Sequence, residues 1–475
     1  MNNILIRNCQ YLVTRPGSLD GIIENGAVYI EDDRVVAVGK SPQIEAQYGN
    51  QTDLDILDAH EKIVMPGLVD AHNHVGEVHT LLVPGWLDSP ITGIVDATDR
   101  MYWPAYNWLT EQSTYDLTLF GLLHTIKHGV TTHSDAMIFP DAMCRASIEA
   151  KTRTVIFPQM ISSVRLADAK DEREYLAHTE AIIQTYHNAG EGLIHVGVHP
   201  STVFNCTEEL LLSAIELARK YGVLFGTHIA ESPEEKEQEE QVFSNRGGLM
   251  PYLRDLGLLG PQTVLFHGTL LDEGDIDIMA ETDTALVHCP ATNAWFGYCA
   301  YLPYMLKAGL RLGFGTDCIT HNLFNVMLSV MQHHNIMPRQ LRGVDPAVIF
   351  KLATLGGAHV LGMQESIGSL EPGKKADLIT IDLKDNTSLF PLNPQIFYAM
   401  LALNSAGTQA CDVLIDGRFV RRNSKFTYLD EPAIIANARQ WCDKFRLDYR
   451  RMQQNHQPMF QRVLEEFKLH QRRTA

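Results

Sequence analysis

Between residues 68 and 317, short apolar segments alternate with longer segments whose leucines and isoleucines recur at helical spacing, as in residues 208–221. Several apolar segments are almost continuously hydrophobic, which is typical of parallel strands covered on both faces. The predicted strands are residues 68–69, 129–135, 153–157, 194–199, 223–228, 263–267, 285–290 and 310–317. Eight strand–helix units in succession predict an α/β fold, a (β/α)8 TIM-like barrel, whose chemistry lies at the carboxyl ends of its strands.

The segments on either side of the predicted barrel have a different pattern. Residues 1–64 read as short strands separated by turns, and no helix of useful length is predicted there. Residues 366–425 return to strands and turns, so we expect both segments to form one small β-sandwich domain, discontinuous in sequence, around a barrel at residues 65–365. Residues 426–475 form a helical extension whose apolar stripe, including Ile434, Ala438 and Phe445, predicts packing on the body of the protein.

Composition and charge narrow the class of protein. The formal charge of −18 at pH 7 argues against broad binding to nucleic acid or to an anionic membrane surface. No apolar run is long enough to span a bilayer, and the first residues read as a strand rather than as a secretion signal. The eight cysteines are scattered singly, a pattern that fits reduced thiols in a cytoplasmic protein.

Side chains that can bind a metal stand at the ends of most predicted barrel strands. His72 and His74 end the first strand, where alternate residues project to the same side. The later strands, from the fourth to the eighth, end in His199, His228, His267, His288 and Asp317. A single buried histidine is usually an ordinary core residue, but this explanation does not account for so many at one rim. Three imidazoles and one carboxylate can hold a metal ion and leave room for a water molecule, whose pKa the metal lowers.

These residues stand within longer motifs. The motifs are P-G-L-V-D-A-H-N-H at 66–74, G-V-T-T at 129–132, T-H-I-A-E at 227–231, F-H-G at 266–268, H-C-P-A-T-N at 288–293, G-F-G-T-D at 313–317 and L-E-P-G-K-K-A-D-L at 370–378. In them the sequence resembles the amidohydrolase superfamily, specifically the branch of cytosine deaminase, guanine deaminase and the s-triazine hydrolases, which include chlorohydrolases. The resemblance runs from about residue 4 to residue 425.

The resemblance implies a role for each matching residue. The implied metal ligands are His72, His74, His228 and Asp317. Glu231 would carry a proton to the ring nitrogen of the substrate, and His267 would orient the water or the developing oxyanion. Asp317 would also accept the proton of the water. One divalent ion per chain is expected, with Zn²⁺ favoured over Fe²⁺.

The substrate is less well defined by the sequence. His199 matches a family position that touches substrate, and His288 and Asn293 stand in the motif after the seventh strand. Glu77 is a candidate for a substrate amino or amidine group, with an exposed loop carboxylate as the alternative. Trp86 is a candidate for stacking on a planar ring or for packing in a lid, and Arg165 is a candidate for a substrate oxygen. The chain lacks the arginine that many relatives carry at residue 83 or 84, and Thr292 replaces a serine.

The fourth strand separates two branches of the superfamily. Binuclear relatives bridge two metals with a modified lysine there, whereas residues 193–199 contain no lysine. The sequence therefore predicts a mononuclear aminohydrolase that releases ammonia from an amino-substituted purine, pyrimidine, pterin or s-triazine. The alternatives are a chlorohydrolase or cyclic amidase with the same metal site, a non-catalytic scaffold of the same fold, and a metal-binding regulatory protein. The expected partner is a small heterocyclic substrate, and a homo-oligomer is a further possibility.

Overall fold

A computed structural model describes residues 3–77, 85, 90–91, 93–162, 171–336 and 343–453. Two predicted substrate-binding residues, Trp86 and Arg165, lie outside these ranges. The strands are β1 (Asn3–Val13), β2 (Ile22–Glu31), β3 (Arg34–Lys40), β4 (Leu54–Asp58), β5 (Lys62–Pro66), β6 (Leu68–Asn73), β7 (Val130–Met137), β8 (Arg153–Met160), β9 (Ile194–Val196), β10 (His199–Pro200), β11 (Phe225–Ile229), β12 (Thr263–His267), β13 (Ala285–His288), β14 (Leu312–Phe314), β15 (Leu378–Asp382), β16 (Asp412–Ile415), β17 (Arg418–Arg422) and β18 (Lys425–Phe426).

Helices follow most of these strands. The α-helices are α1 (Ser41–Tyr48), α2 (Ile94–Ala97), α3 (Trp103–Trp108), α4 (Glu111–Lys127), α5 (Pro140–Ala150), α6 (Glu172–Tyr186), α7 (Ala189–Gly192), α8 (Glu208–Tyr221), α9 (Pro233–Phe243), α10 (Leu249–Asp255), α11 (Glu273–Glu281), α12 (Pro290–Trp295), α13 (Leu302–Lys307), α14 (Leu323–Ile336), α15 (Pro346–Lys351), α16 (Gly357–Val360), α17 (Phe397–Asn404) and α18 (Glu431–Gln453). Thr98–Tyr102 and Leu352–Gly356 are π-helical turns. The predicted helix at residues 208–221 is confirmed as α8, which begins where the Thr207 hydroxyl accepts a hydrogen bond from Leu210 N–H and ends at Gly222 in the left-handed conformation.

The segments before and after the central region share one sheet. Within the described residues its nine strands run in the order β18-β17-β16-β15-β5-β1-β2-β3, with β4 also paired to β1. The strand β5 is parallel to β1 and antiparallel to β15, so segments distant in sequence are direct neighbours. Helix α1 contradicts the prediction that residues 1–64 contain no helix. Its only buried residues are Ser41 and Ile44, so it lacks the apolar periodicity by which helices are recognised.

The central region contains two parallel sheets that carry the predicted strand ends. One has the order β10-β8-β7-β6, with β9 also paired to β8, and the other has the order β11-β12-β13-β14. Single bridges from Val198 to Phe225, from Thr202 to His228 and from Asn73 to Asp317 connect their edges. The carboxyl ends of these strands therefore lie on one side of the region, where His72, His228 and His267 end β6, β11 and β12.

A buried ion cluster joins the central region to the mixed sheet. Arg153 begins β8, and its guanidinium donates to both carboxylate oxygens of Asp377, at 3.0 and 3.2 Å, and also to Asp416. All three side chains are buried. Asp377 also accepts the backbone N–H of Asp416 at 2.8 Å. The cluster therefore pairs charges across the junction between the two regions, and loss of Arg153 would leave buried carboxylates without that partner.

His133, in β7, makes the stability of the fold dependent on pH. Its side chain is 1% exposed, and burial lowers the pKa of its imidazole from the ordinary 6.5 to about 3. Between these values the unfolded chain binds the proton and the folded chain does not, so the free energy of unfolding falls as the pH falls from about 6.5 towards 3. We expect His133→Asn to reduce the slope of this dependence by up to about 1.4 kcal/mol per pH unit, measured by urea unfolding between pH 4 and 6.

The control for this measurement is His60→Asn, because the His60 side chain is 74% exposed. An equal slope in wild type and His133→Asn would show that the imidazole does not titrate with unfolding.

All eight cysteines fall within the described ranges, and each is a free thiol. The longest helices in those ranges are not apolar enough to serve as membrane spans.

Candidate metal centre and active site

The potential ligands are placed by strand ends. His72 lies in β6, His74 follows it by two residues, and His228 lies in β11. Asp317 follows β14, and its backbone N–H donates to the His72 carbonyl at 3.0 Å. Asp317 and His267 adopt left-handed backbone conformations, with φ of 55° and 71°. Such strain in residues other than glycine persists only where the surrounding structure imposes it, and it clusters at functional sites.

The donor atoms of these residues form overlapping groups that share His72. Those of His72, His74 and Asp317 lie within 4.8 Å of one another, and so do those of His72, His228 and His267. The Nε2 atoms of His72 and His228 lie 3.2 Å apart. Asp317 Oδ1 lies 3.3 Å from His74 Nε2 and 3.8 Å from His72 Nε2. His72, His74 and Asp317 are buried, and His228 is half-buried. Three neutral imidazoles with one carboxylate form a donor set suited to zinc or ferrous iron.

Hydrogen bonds behind the rings fix which nitrogen faces inward. The Nδ1–H of His74 donates to the Ala136 carbonyl, and that of His228 donates to the Ser201 carbonyl, each at 2.7 Å. Both rings therefore direct an Nε2 lone pair toward the convergence point, as metal-binding histidines do. Burial lowers the pKa values of His72, His74 and His228, which keeps these imidazoles in the neutral form that binds metals. The residues present fit a metal ion.

A buried network connects the two ligand-bearing segments. The carboxylate of Asp70 accepts the backbone N–H of Thr316 at 2.9 Å and its hydroxyl at 2.5 Å. Asp70 also accepts the Asn73 side-chain amide at 2.6 Å, and the Asn73 side-chain oxygen accepts from His321 Nδ1 at 3.2 Å. Burial raises the pKa of Asp70 to about 7, although the bonds from Thr316 oppose this. Since Thr316 precedes Asp317 and Asp70 precedes His72 by two residues, the network holds these ligands in register.

Glu231 and His267 stand beside the four potential ligands. Glu231 Oε1 lies 3.8 Å from His267 Nδ1. Burial raises the pKa of Glu231 well above its usual range, and the neighbouring carboxylates Glu235 and Asp317 raise it further. His267 Nδ1 also lies 3.0 Å from Asn293 Oδ1, and the Asn293 amide donates to Thr269 Oγ1 at 2.7 Å. Asn293 thus orients the His267 ring from behind.

Glu235 is a buried site residue that the sequence interpretation missed. Its Oε2 accepts the backbone N–H of Glu231 at 2.7 Å, and its own N–H donates to Ser232 Oγ at 3.3 Å. These bonds fix the turn between β11 and α9 that carries Glu231. The spacing Ser232-x-x-Glu235 at the start of a helix is a capping-box pattern, so the sequence contained a usable indication.

A cavity opens above these groups. It holds about 890 Å³ of empty space, including the part that is open to solvent. Its lining comprises His74, Glu77, Ile94, Val95, Thr98, Tyr102, Trp103, Tyr106, Gln159, Ser201, Thr202, Phe204, Asn205, His228, Glu231, Glu235, His267, Asp317 and Cys318. The described lining contains no lysine or arginine. Aromatic faces and hydrogen-bonding groups therefore surround an acidic floor.

The predicted substrate-binding residues differ in whether they line the cavity. Glu77 lines the cavity at 1% exposure and accepts a hydrogen bond from Tyr106, so the alternative of an exposed loop carboxylate is wrong. His199 is buried, with its ring centroid 5.0 Å from that of His228 and its Nδ1 3.0 Å from the Gly226 carbonyl. His288 and Asn293 are buried outside the described lining.

Comparisons with known proteins place these observations in context. The sequence profile of the amidohydrolase family matches residues 63–420. The chain is 28% identical over 461 residues to a 5-methylthioadenosine/S-adenosylhomocysteine deaminase from Thermodesulfovibrio yellowstonii, covering 94% of this chain and 100% of that protein. It is 31% identical over 445 residues to a protein of the same description from Moorella thermoacetica, covering 92% and 98%. The crystal structure of an adenosine deaminase from Xanthomonas campestris with bound zinc superposes with a TM-score of 0.84 at 24% identity, covering 94% and 99%.

Proposed function

The chain belongs to the amidohydrolase family and is a hydrolase of carbon–nitrogen bonds in amidines, and we propose that its substrates are purine nucleosides of the adenosine type. It is a metal-dependent deaminase of amino-substituted nitrogen heterocycles. Relatives described as deaminases of 5-methylthioadenosine and S-adenosylhomocysteine, aligned over almost the whole chain, support the choice of an adenine nucleoside among these heterocycles.

The observation that carries the proposal is the convergence of three imidazoles and a carboxylate beside a buried glutamate. The residues that would hold one divalent ion, Zn²⁺ in first place and Fe²⁺ in second, are His72, His74, His228 and Asp317. When bound there, such an ion lowers the pKa of water and so supplies a nucleophile at neutral pH. The absence of lysine from residues 193–199 supports a single ion.

The remaining roles fall to side chains of the chain itself. Glu231, whose pKa is raised by burial, is the proton carrier and delivers a proton to the ring nitrogen beside the amino-bearing carbon. Asp317 accepts the proton of the attacking water. His267, oriented by Asn293, stabilises the charge that develops on the attacked carbon's oxygen. The proton taken up by Asp317 passes to the amino group, whose bond to carbon breaks as ammonia leaves, and the second proton of the water returns to Glu231.

The cavity suits a planar base with a polar substituent. Tyr102, Trp103 and Tyr106 offer aromatic groups on one side, which favour contact with a flat heterocycle. Gln159 and Ser201 also line the cavity and hydrogen-bond to each other at 3.2 Å, so both can exchange partners with ligand hydroxyls.

The closure of the barrel and the division into domains are also part of this proposal. The chain has the mixed α/β fold of its amidohydrolase neighbours. We infer that the two parallel sheets, linked by three single bridges, form one closed (β/α)8 barrel over residues 65–365. The mixed sheet would be the core of the discontinuous domain formed by residues 1–64 and 366–425, with residues 426–475 as the extension.

The proposal is tested by elemental analysis of the purified protein, followed by ammonia release from adenosine, 5-methylthioadenosine, S-adenosylhomocysteine, guanine, cytosine and amino-s-triazines. We expect about one metal ion per chain and the highest kcat/KM with an adenine nucleoside. The matched variant His228→Asn should lose most of both metal and turnover, because it removes one inward-facing nitrogen.

Other outcomes would change the assignment. Two ions per chain would contradict the mononuclear site. One ion with chloride release from a chlorotriazine, and no ammonia from any nucleoside, would show a different leaving group at the same site.

A further inference from the structure

One wall of the cavity is a short helical segment between β6 and α4. It comprises α2, the π-helical turn Thr98–Tyr102 and α3, which together span residues 94–108 and are called the cavity wall below. Its cavity-facing side chains are Ile94, Val95, Thr98, Tyr102, Trp103 and Tyr106. The position of this segment therefore sets the width and shape of the space above the metal ligands.

The cavity wall contacts residues adjacent to two predicted ligands. The Tyr106 hydroxyl donates to Glu77, whose Oε1 lies 3.3 Å from His74 Nδ1. The Tyr102 hydroxyl lies 2.6 Å from the Sγ of Cys318, the residue after Asp317. The wall therefore reaches side chains beside the ligands, whereas the ligand-bearing segments themselves are held by the Asp70–Thr316 hydrogen bonds.

The helix α18 packs against the same segment. The ring of Trp108, at the end of α3, lies 5.0 Å from that of Phe445 and 6.0 Å from that of Trp441. Its indole N–H donates to Asp448 Oδ2 at 3.1 Å. The Tyr449 hydroxyl donates to the Arg100 carbonyl within the π-helical turn. Phe445 and Tyr449 are completely buried.

These contacts are made at the π-helical turn and at the end of α3. A π-helical turn is rare and intrinsically less favourable than an α-helical one, and such turns recur at functional sites. Helix α18 is itself anchored to α4, because the Trp441 indole donates to Asp116 at 2.8 Å and Lys127 pairs with Glu431. The helix therefore links α4, in the central region, to the π-helical turn of the wall.

We propose that α18 is a positioning element of the active site, which holds the cavity wall in the conformation that binds substrate. The positioning residues are Asp448 and Tyr449, which act through Trp108 and Arg100. The helix lies beyond residues 63–420, the part matched by the family profile. The inference concerns the shape of the cavity and holds for any substrate bound there, although its kinetic test rests on the proposed function.

The test uses Tyr449→Phe and Asp448→Ala in the full-length, metal-loaded protein. Both should raise KM for the best adenine nucleoside at least threefold while kcat stays within twofold, because the wall is displaced and the ligands are not. Asp448→Asn should restore the wild-type KM, since its amide oxygen still accepts the indole N–H. The control is Leu447→Ala, on the same helix, whose side chain is 62% exposed.

Hydrogen exchange measured by mass spectrometry provides a readout that needs no substrate. Peptides from residues 94–108 should exchange at least threefold faster in Tyr449→Phe and Asp448→Ala than in wild type or Leu447→Ala. If these variants lower Tm but leave both the exchange of residues 94–108 and KM unchanged, α18 only stabilises the fold and the proposal is overturned. If wild type deaminates no nucleoside, the proposed function fails. The hydrogen exchange of residues 94–108 then decides alone whether α18 positions the cavity wall or only stabilises the fold.

Discussion

Replacing Glu231 by glutamine is expected to lower kcat for ammonia release by about 10²–10⁴-fold, the range for loss of a positioned general acid–base group. Glutamine keeps the size of the side chain and cannot carry the proton. Burial, followed by the carboxylates of Glu235 and Asp317, raises the pKa of Glu231, which favours the protonated carboxyl group that a proton donor needs. Steady-state ammonia release at neutral pH measures the effect.

Metal content must stay equal to that of wild type for this result to identify a proton carrier. The matched control is Glu234→Gln, because Glu234 is exposed at the start of α9, the helix that follows Glu231. A Glu231→Gln enzyme that keeps more than a tenth of the wild-type kcat would remove Glu231 from the proposed mechanism.

Replacing Arg153 by methionine is expected to lower the free energy of unfolding by about 3–5 kcal/mol, the cost of breaking a buried ion pair from one side. The substitution leaves Asp377 and Asp416 buried without their guanidinium partner. Urea unfolding followed by circular dichroism measures the difference.

A surface pair provides the comparison. Arg145 pairs with Glu111 at 2.6 Å, and their side chains are 45% and 61% exposed. Arg145→Met should cost no more than about 1 kcal/mol, because solvent screens the pair. Equal costs for the two variants would show that the cluster at Arg153 does not hold the two regions together.

The order of the strands that carry the site could be predicted from the sequence, because each strand and its terminal side chain are indicated by neighbouring residues. An apolar run followed by a histidine, as at Val69 to His72 or Val264 to His267, indicates both a buried strand and the side chain at its end. The predicted strands from residue 68 to 317 all contain observed strands. The resemblance to the amidohydrolase superfamily is confirmed by the family profile and by relatives aligned over most of the chain. The roles of the individual ligands remain a proposal.

Two features that the sequence did not predict depend on contacts between residues far apart in the chain. The burial of Glu77 depends on Tyr106, 29 positions later, so its neighbours in sequence could not indicate it. The cavity wall likewise takes its position partly from Tyr449, 349 positions beyond Arg100. Helix α1 was missed for a different reason, because a helix that buries mainly Ile44 shows no repeating apolar face.

The shared mixed sheet also has a consequence for biosynthesis. On the ribosome, β5 emerges with β1 already made, but its second neighbour β15 lies about 310 residues further along. At roughly 5–20 residues per second, translation leaves that edge without its partner for roughly 15–60 s. The edge includes Ile63, Val64 and Met65, all fully buried in the finished protein. A nascent chain therefore exposes this apolar strand edge until β15 has been synthesised, and the mixed sheet cannot be completed before then.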